Sequence, residues 1–161
     1  KAEGEEFSKG GGADAFYHFL TKNLVPLIDE KFNVQSSQKS LYGHSFGGLF
    51  TLYALLKNDG VFSNFFIASP SLWWGESEIL KQNVSEGKFK EKLRAKFVFL
   101  SVGELEKRKG KTDKAGILKA SDLAQILKQS GVNYHFELFK NETHGSVIPL
   151  NLKEILKYLK D

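Results

Sequence analysis

The chain has 161 residues, 41% apolar and 26% charged, with a formal charge of +4. That is ordinary composition for one globular domain with a substantial core; it excludes a disordered chain, and no apolar run approaches the ~20 residues of a membrane span. The absence of cysteine rules out disulfides, thiolate metal sites and a cysteine nucleophile.

Residues 1–12, "KAEGEEFSKGGG", read as an N-terminal loop, charged and glycine-rich, without the apolar region of a secretory signal. From Ala13 a helical period begins: Phe16, Phe19, Leu20, Leu24, Leu27 and Ile28 recur at three and four, which predicts one apolar stripe. Pro26 lies inside it and is expected to kink or interrupt the helix. A polar connector leads to a short strand, "SLYG", and then to "GHSFGG". Leu49 to Lys57 predicts a buried helix, "NFFIAS" a strand and "PSLWWG" a loop. Residues 76–94 predict one or two short charged helices. "KFVFLSVG" is apolar almost throughout, as expected of a strand buried on both faces. A basic loop precedes a helix predicted from Asp113 to Gln129, with Gly131 as its C-cap. "NYHFELF" predicts the last strand and "IPLNLKEILKYLK" the last helix, Pro149 in its first turn.

Helices alternating with four strands predict an α/β fold with a parallel sheet. Sites in such sheets form at the carboxyl ends of the strands, which selects the loops 43–48, 69–75, 103–112 and 140–146. The first carries Gly43-His44-Ser45-Phe46-Gly47, the spacing of a nucleophile elbow, where the turn is so sharp that side chains two residues either side of the serine are expected to collide. Serine is a poor nucleophile without a base. His144, in the loop after the last strand, is the candidate base; His18 and His135 fall within elements, and His44 is expected to point away from the nucleophile and make a structural hydrogen bond. The third loop offers Glu104 and Glu106 to orient the base, and the residues alone do not choose between them. Serine, then acid, then histidine is the chain order of an α/β-hydrolase triad.

Five segments, "GGADAFYHFLTKNLVPLIDEKF", "LYGHSFGGLFTLYALL", "ASPSLWW", "SVGELE" and "THGSVIP", resemble in order the putative-esterase (esterase D-like) family of α/β-hydrolases, within it the branch of siderophore-ester hydrolases. The resemblance implies a three-layer αβα fold with a mostly parallel sheet, residues 13–161 being its C-terminal half to two-thirds. It implies that an N-terminal segment or a partner chain supplies the remaining strands and one oxyanion-hole amide. It implies a serine hydrolase cleaving carboxylic esters through an acyl-enzyme: Ser45 as nucleophile, His144 as base, the amide of Phe46 in the oxyanion hole, and Glu106, three residues after Gly103, as the acid. Trp73 and Trp74 are implied to border the substrate. No metal or organic cofactor is expected. A small-molecule ester is the expected partner, and neither nucleic acid nor membrane insertion is, because the charges are mixed and aromatic residues do not interleave with them. The denser cluster Lys107 to Lys114 reads as a solvated surface loop, with attraction for an anionic ester as the alternative. Thioesterase, acyltransferase and non-catalytic binding functions share this fold and remain alternatives.

Overall fold

The computed structural model describes residues 11–32, 38–107 and 115–159. The chain divides into two compact units, Lys1–Ser36 and Ser37–Asp161.

The first unit is helical. Helix α1 (Ala13–His18) runs into a π-helical stretch (Phe19–Leu24) and then into α2 (Val25–Lys31). Pro26 stands in the first turn of α2, and the α-helical bonding is interrupted just before it by the π-helical stretch, as expected. The proline lacks an N–H, and its ring crowds the carbonyl one turn back. The wider turn before it, in which the Val25 N–H reaches the Leu20 carbonyl five residues earlier, accommodates both. The predicted stripe is not buried: Phe16, Phe19, Leu24, Leu27 and Ile28 are all exposed.

The second unit is a parallel sheet of β1 (Ser40–His44), β2 (Asn64–Ala68), β3 (Phe97–Gly103) and β4 (Tyr134–Phe139), in that spatial order. Between and after them come α3 (Phe46–Lys57), α4 (Glu78–Ser85), α5 (Ala120–Ser130) and α6 (Val147–Tyr158). Alternation along the strands sends side chains to both faces. On one face a row runs through register positions Tyr42, Phe66, Phe99 and His135. Phe66 and Phe99 pack there with Ile155 of α6, and His135 stacks on Phe99 at 5.7 Å. On the other face Phe65, Ile67, Val98 and Leu100 are buried, α3 packing on β1 and β2 and α5 on β3 and β4. Burial on both sides is why β3 reads as a nearly unbroken apolar run.

Two helix starts differ from expectation. Helix α3 begins at Phe46, immediately after the serine. Helix α5 begins at Ala120, seven residues late; its start is fixed by Asp122, whose carboxylate accepts the Lys119 N–H at 2.7 Å, while Gly131 closes it at φ 73° as expected. Residues 1–10 of the predicted N-terminal loop and 108–114 of the basic cluster lie outside the described residues.

Candidate active site

All four strands end at one edge of the sheet, and the turns there bring the predicted residues together. β1 ends at His44, and the chain reverses into α3 through Ser45, whose φ is 62° and ψ −118°. A non-glycine residue there carries about 1–3 kcal/mol of strain. Three backbone bonds hold it: the Ser45 N–H donates to Ala68 O, and the Ser45 carbonyl accepts from Leu49 and Ser71, each at 3.0 Å. The expected collisions are only half right. A β-carbon on Gly43 would lie 2.0 Å from the Gly47 oxygen, but one on Gly47 would meet nothing within 4 Å. The second glycine that space demands is Gly48, where a β-carbon would lie 2.6 Å from the Ala68 oxygen at the end of β2.

β3 ends at Gly103, and a tight turn returns the Glu106 N–H to the Gly103 carbonyl at 3.2 Å. The Glu106 side chain folds back over it. Its Oε1 accepts the Gly103 N–H and the Ser69 hydroxyl, each at 2.6 Å, and its Oε2 lies 2.7 Å from His144 Nδ1. The other face of the same imidazole meets the elbow, with Nε2 3.0 Å from Ser45 Oγ. Glu104 goes elsewhere, its carboxylate accepting the Asn141 N–H at 3.0 Å. Burial by itself raises the Glu106 carboxyl, but the hydrogen bonds from His144, Ser69 and the Gly103 amide, with the charge of His144, outweigh it and hold the carboxyl below its ordinary range.

The contacts assign the protons. A carboxylate only accepts, so His144 Nδ1 carries a hydrogen toward Glu106 and Nε2 is left to accept from the Ser45 hydroxyl. Ser45 stands at the N-terminus of α3, where the helix dipole favours negative charge, and Phe46 is the first residue of that helix. The arrangement sets a hydroxyl, an imidazole and a carboxylate in series.

His44 makes the structural hydrogen bond expected of it, its Nε2–H donating to the His144 carbonyl at 2.9 Å, with the two rings 4.5 Å apart. Other contributors escaped the sequence reading. Ser69 and Ser71 are buried in the loop after β2, and only the tryptophans of that loop drew notice. The Phe46 ring joins Trp73 at 5.7 Å and Trp74 at 5.1 Å, edge to face, so the half-exposed aromatic surface beside Ser45 has three members. Among the described residues no group of His, Asp and Glu could hold a metal ion, and no helix is long and apolar enough to cross a membrane.

Known proteins are similar to this chain in sequence and in fold. The chain is 28% identical over 159 residues to the ferri-bacillibactin esterase BesA of Bacillus subtilis, covering 98% of this chain and 55% of the relative. It is 30% identical over 152 residues to the apo-salmochelin esterase of Escherichia coli, covering 92% of this chain and 46% of the relative. The solved BES protein of Bacillus cereus superposes with a TM-score of 0.77 at 34% identity, over 96% of this chain and 57% of that one. An IroE-like serine hydrolase of Shewanella oneidensis gives 0.78 at 25% identity, over 92% and 48%. The chain thus spans about half the length of these relatives, and its fold is that of the α/β-hydrolases. The pattern of the family described as "Putative esterase" matches residues 2–147, and the chain belongs to that family.

Proposed function

We propose that this chain carries the chemistry of a serine hydrolase acting on carboxylic esters, with Ser45 as nucleophile, His144 as base and Glu106 as the acid that orients it. The observation that supports this reading most is the unbroken contact series from Ser45 Oγ through His144 to Glu106, at 3.0 and 2.7 Å. As Ser45 Oγ bonds to the acyl carbon, its proton passes to His144 Nε2 and the carbonyl π electrons move onto oxygen. The Phe46 N–H stabilises that oxyanion. The oxyanion collapses, the bond to the leaving alcohol breaks, and His144 returns the proton to it. Water then attacks the acyl-enzyme, giving its proton to His144; as the bond to Ser45 Oγ breaks, His144 passes that proton to Oγ, and the acid is released. Glu106 stays ionised throughout and stabilises the imidazolium.

For substrate we take an ester of siderophore type, since relatives matching nearly the whole chain are named as esterases of ferri-bacillibactin and salmochelin. Phe46, Trp73 and Trp74 offer it a flat apolar wall beside the nucleophile.

Intact-mass analysis after treatment with a fluorophosphonate tests the reading. One adduct on the native chain, absent from Ser45→Ala, is the expected result. No adduct on a folded sample overturns it for this polypeptide.

A further inference from the structure

We propose that Ser69 and Ser71, in the loop between β2 and α4, are positioning residues, Ser69 for Glu106 and Ser71 for Ser45; this rests on the reading of Ser45, His144 and Glu106 as the reacting groups. Both serines are almost wholly buried, at 2% and 1% exposure. A buried hydroxyl needs a partner, and each of these finds one on a different end of the same series.

Ser69 holds its place through the sheet. Its N–H donates to the Ser101 carbonyl at 2.8 Å, carrying the β2–β3 pairing one residue past the strand. Its φ of 43° then turns the chain. The hydroxyl donates to Glu106 Oε1 at 2.6 Å, on the oxygen that also takes the Gly103 N–H. Oε2 is thereby left for His144. Two donors on one oxygen fix the carboxylate plane and favour its charged form.

Ser71 sits two residues on. Its N–H donates to the Ser45 carbonyl at 3.0 Å, and its Oγ lies 3.3 Å from Ser45 Oγ, a long contact. The single Ser45 proton points at His144 Nε2, so Ser71 is the donor. A donor on that side turns the Ser45 hydroxyl toward the base. One short loop therefore braces the acid with its first serine and the nucleophile with its second.

Three measurements separate these roles. The carboxyl 13C resonance of Glu106 is titrated by NMR, the fluorophosphonate labelling rate is taken at pH 7, and the 15N resonance of His144 Nε2 is recorded, for Ser69→Ala, Ser69→Gly and Ser71→Ala. Glycine at 69 removes the hydroxyl while suiting the positive φ, so backbone strain and hydroxyl loss come apart. Both Ser69 variants should titrate Glu106 at higher pH than the native chain and label about tenfold more slowly, as fits loss of a bond to a charged group. Ser71→Ala should leave the Glu106 titration in place, slow labelling about threefold, and shift the 15N resonance of His144 Nε2. An unchanged Glu106 titration in both Ser69 variants overturns the first role. An unchanged His144 Nε2 resonance in Ser71→Ala overturns the second. If the native chain takes no label, the hydrolase reading fails, while the two NMR readouts still decide whether the serines hold their partners.

Discussion

The carbonyl of Gly47 sits against the α-carbon of Gly43 so closely that a β-carbon on Gly43 would lie 2.0 Å from its oxygen. The elbow is closed by backbone on backbone, with Thr51 Oγ1 donating to that same carbonyl at 2.9 Å. No side-chain rotation can relieve a substitution there.

Gly43→Ala should therefore fail to fold or melt far below the native chain. Gly47→Ala should be neutral or stabilising by up to about 1 kcal/mol, since alanine suits a helix better than glycine and the space is open. Thermal melts of the two variants check this; equal losses would mean that the second glycine of the motif is needed for packing after all.

Stability should depend on Glu106 at acid pH. The folded carboxyl titrates below its ordinary value, so its contribution is complete above the unfolded value of about 4.3 and is lost as pH falls through the lower folded value. Between pH 7 and 3 the native chain should lose melting temperature more steeply than Glu106→Gln. The Gln variant should start lower at pH 7, because its amide cannot accept at both oxygens. Parallel curves would show that Glu106 is not held as an anion.

His44 holds His144 by its backbone carbonyl. His44→Phe keeps a ring against His144 but removes the N–H that meets the His144 carbonyl. Labelling of Ser45 should slow several-fold, while stability falls by about 1 kcal/mol. Loss of stability without any change in labelling would confine His44 to packing.

Much of this was legible in the residues, and the gaps have physical causes. β3 stood out because a strand buried on both faces admits few polar residues. The four site loops followed from strand order alone, since a parallel sheet gathers its carboxyl ends on one edge. Glu104 and Glu106 could not be separated that way, because the choice depends on a turn that swings one carboxylate back over Gly103 and sends the other to Asn141. Ser69 and Ser71 were invisible for a similar reason. Their partners lie 37 and 26 positions away, and serine in a loop after a strand is unremarkable by itself. The start of α5 was misplaced because Lys119 is no usual N-cap; the signal was Asp122, reaching back from the third position.

Phe46 should show two separable effects, one from its amide and one from its ring. Phe46→Ala keeps the N–H and removes the edge-to-face contacts to Trp73 and Trp74. For an aromatic ester KM should rise by several-fold, with kcat changed less, and a small acetyl ester should be nearly indifferent. An equal fall in kcat for both esters would place the ring's importance in shaping the elbow rather than in meeting substrate.

Under α6 lies a polar pair that the proposed chemistry does not use. The Ser101 hydroxyl donates to Asn151 Oδ1, and both residues are wholly buried. Among the described residues Asn151 Nδ2 has no hydrogen-bond partner. An orphaned buried donor costs about 1–3 kcal/mol, and removing its only satisfied neighbour makes matters worse. Ser101→Ala alone should therefore destabilise by about 1–3 kcal/mol, leaving the whole amide unmet. Ser101→Ala with Asn151→Leu removes every polar atom of the pair while keeping the same branched shape, and such replacements are near neutral or stabilising. Chemical denaturation of the native chain, Ser101→Ala, Asn151→Leu and the double variant gives the coupling. The double variant should regain most of what Ser101→Ala loses, with labelling of Ser45 unaffected. If it is instead less stable than Ser101→Ala, the Nδ2 group has a partner, such as a buried water, that a fully apolar site excludes.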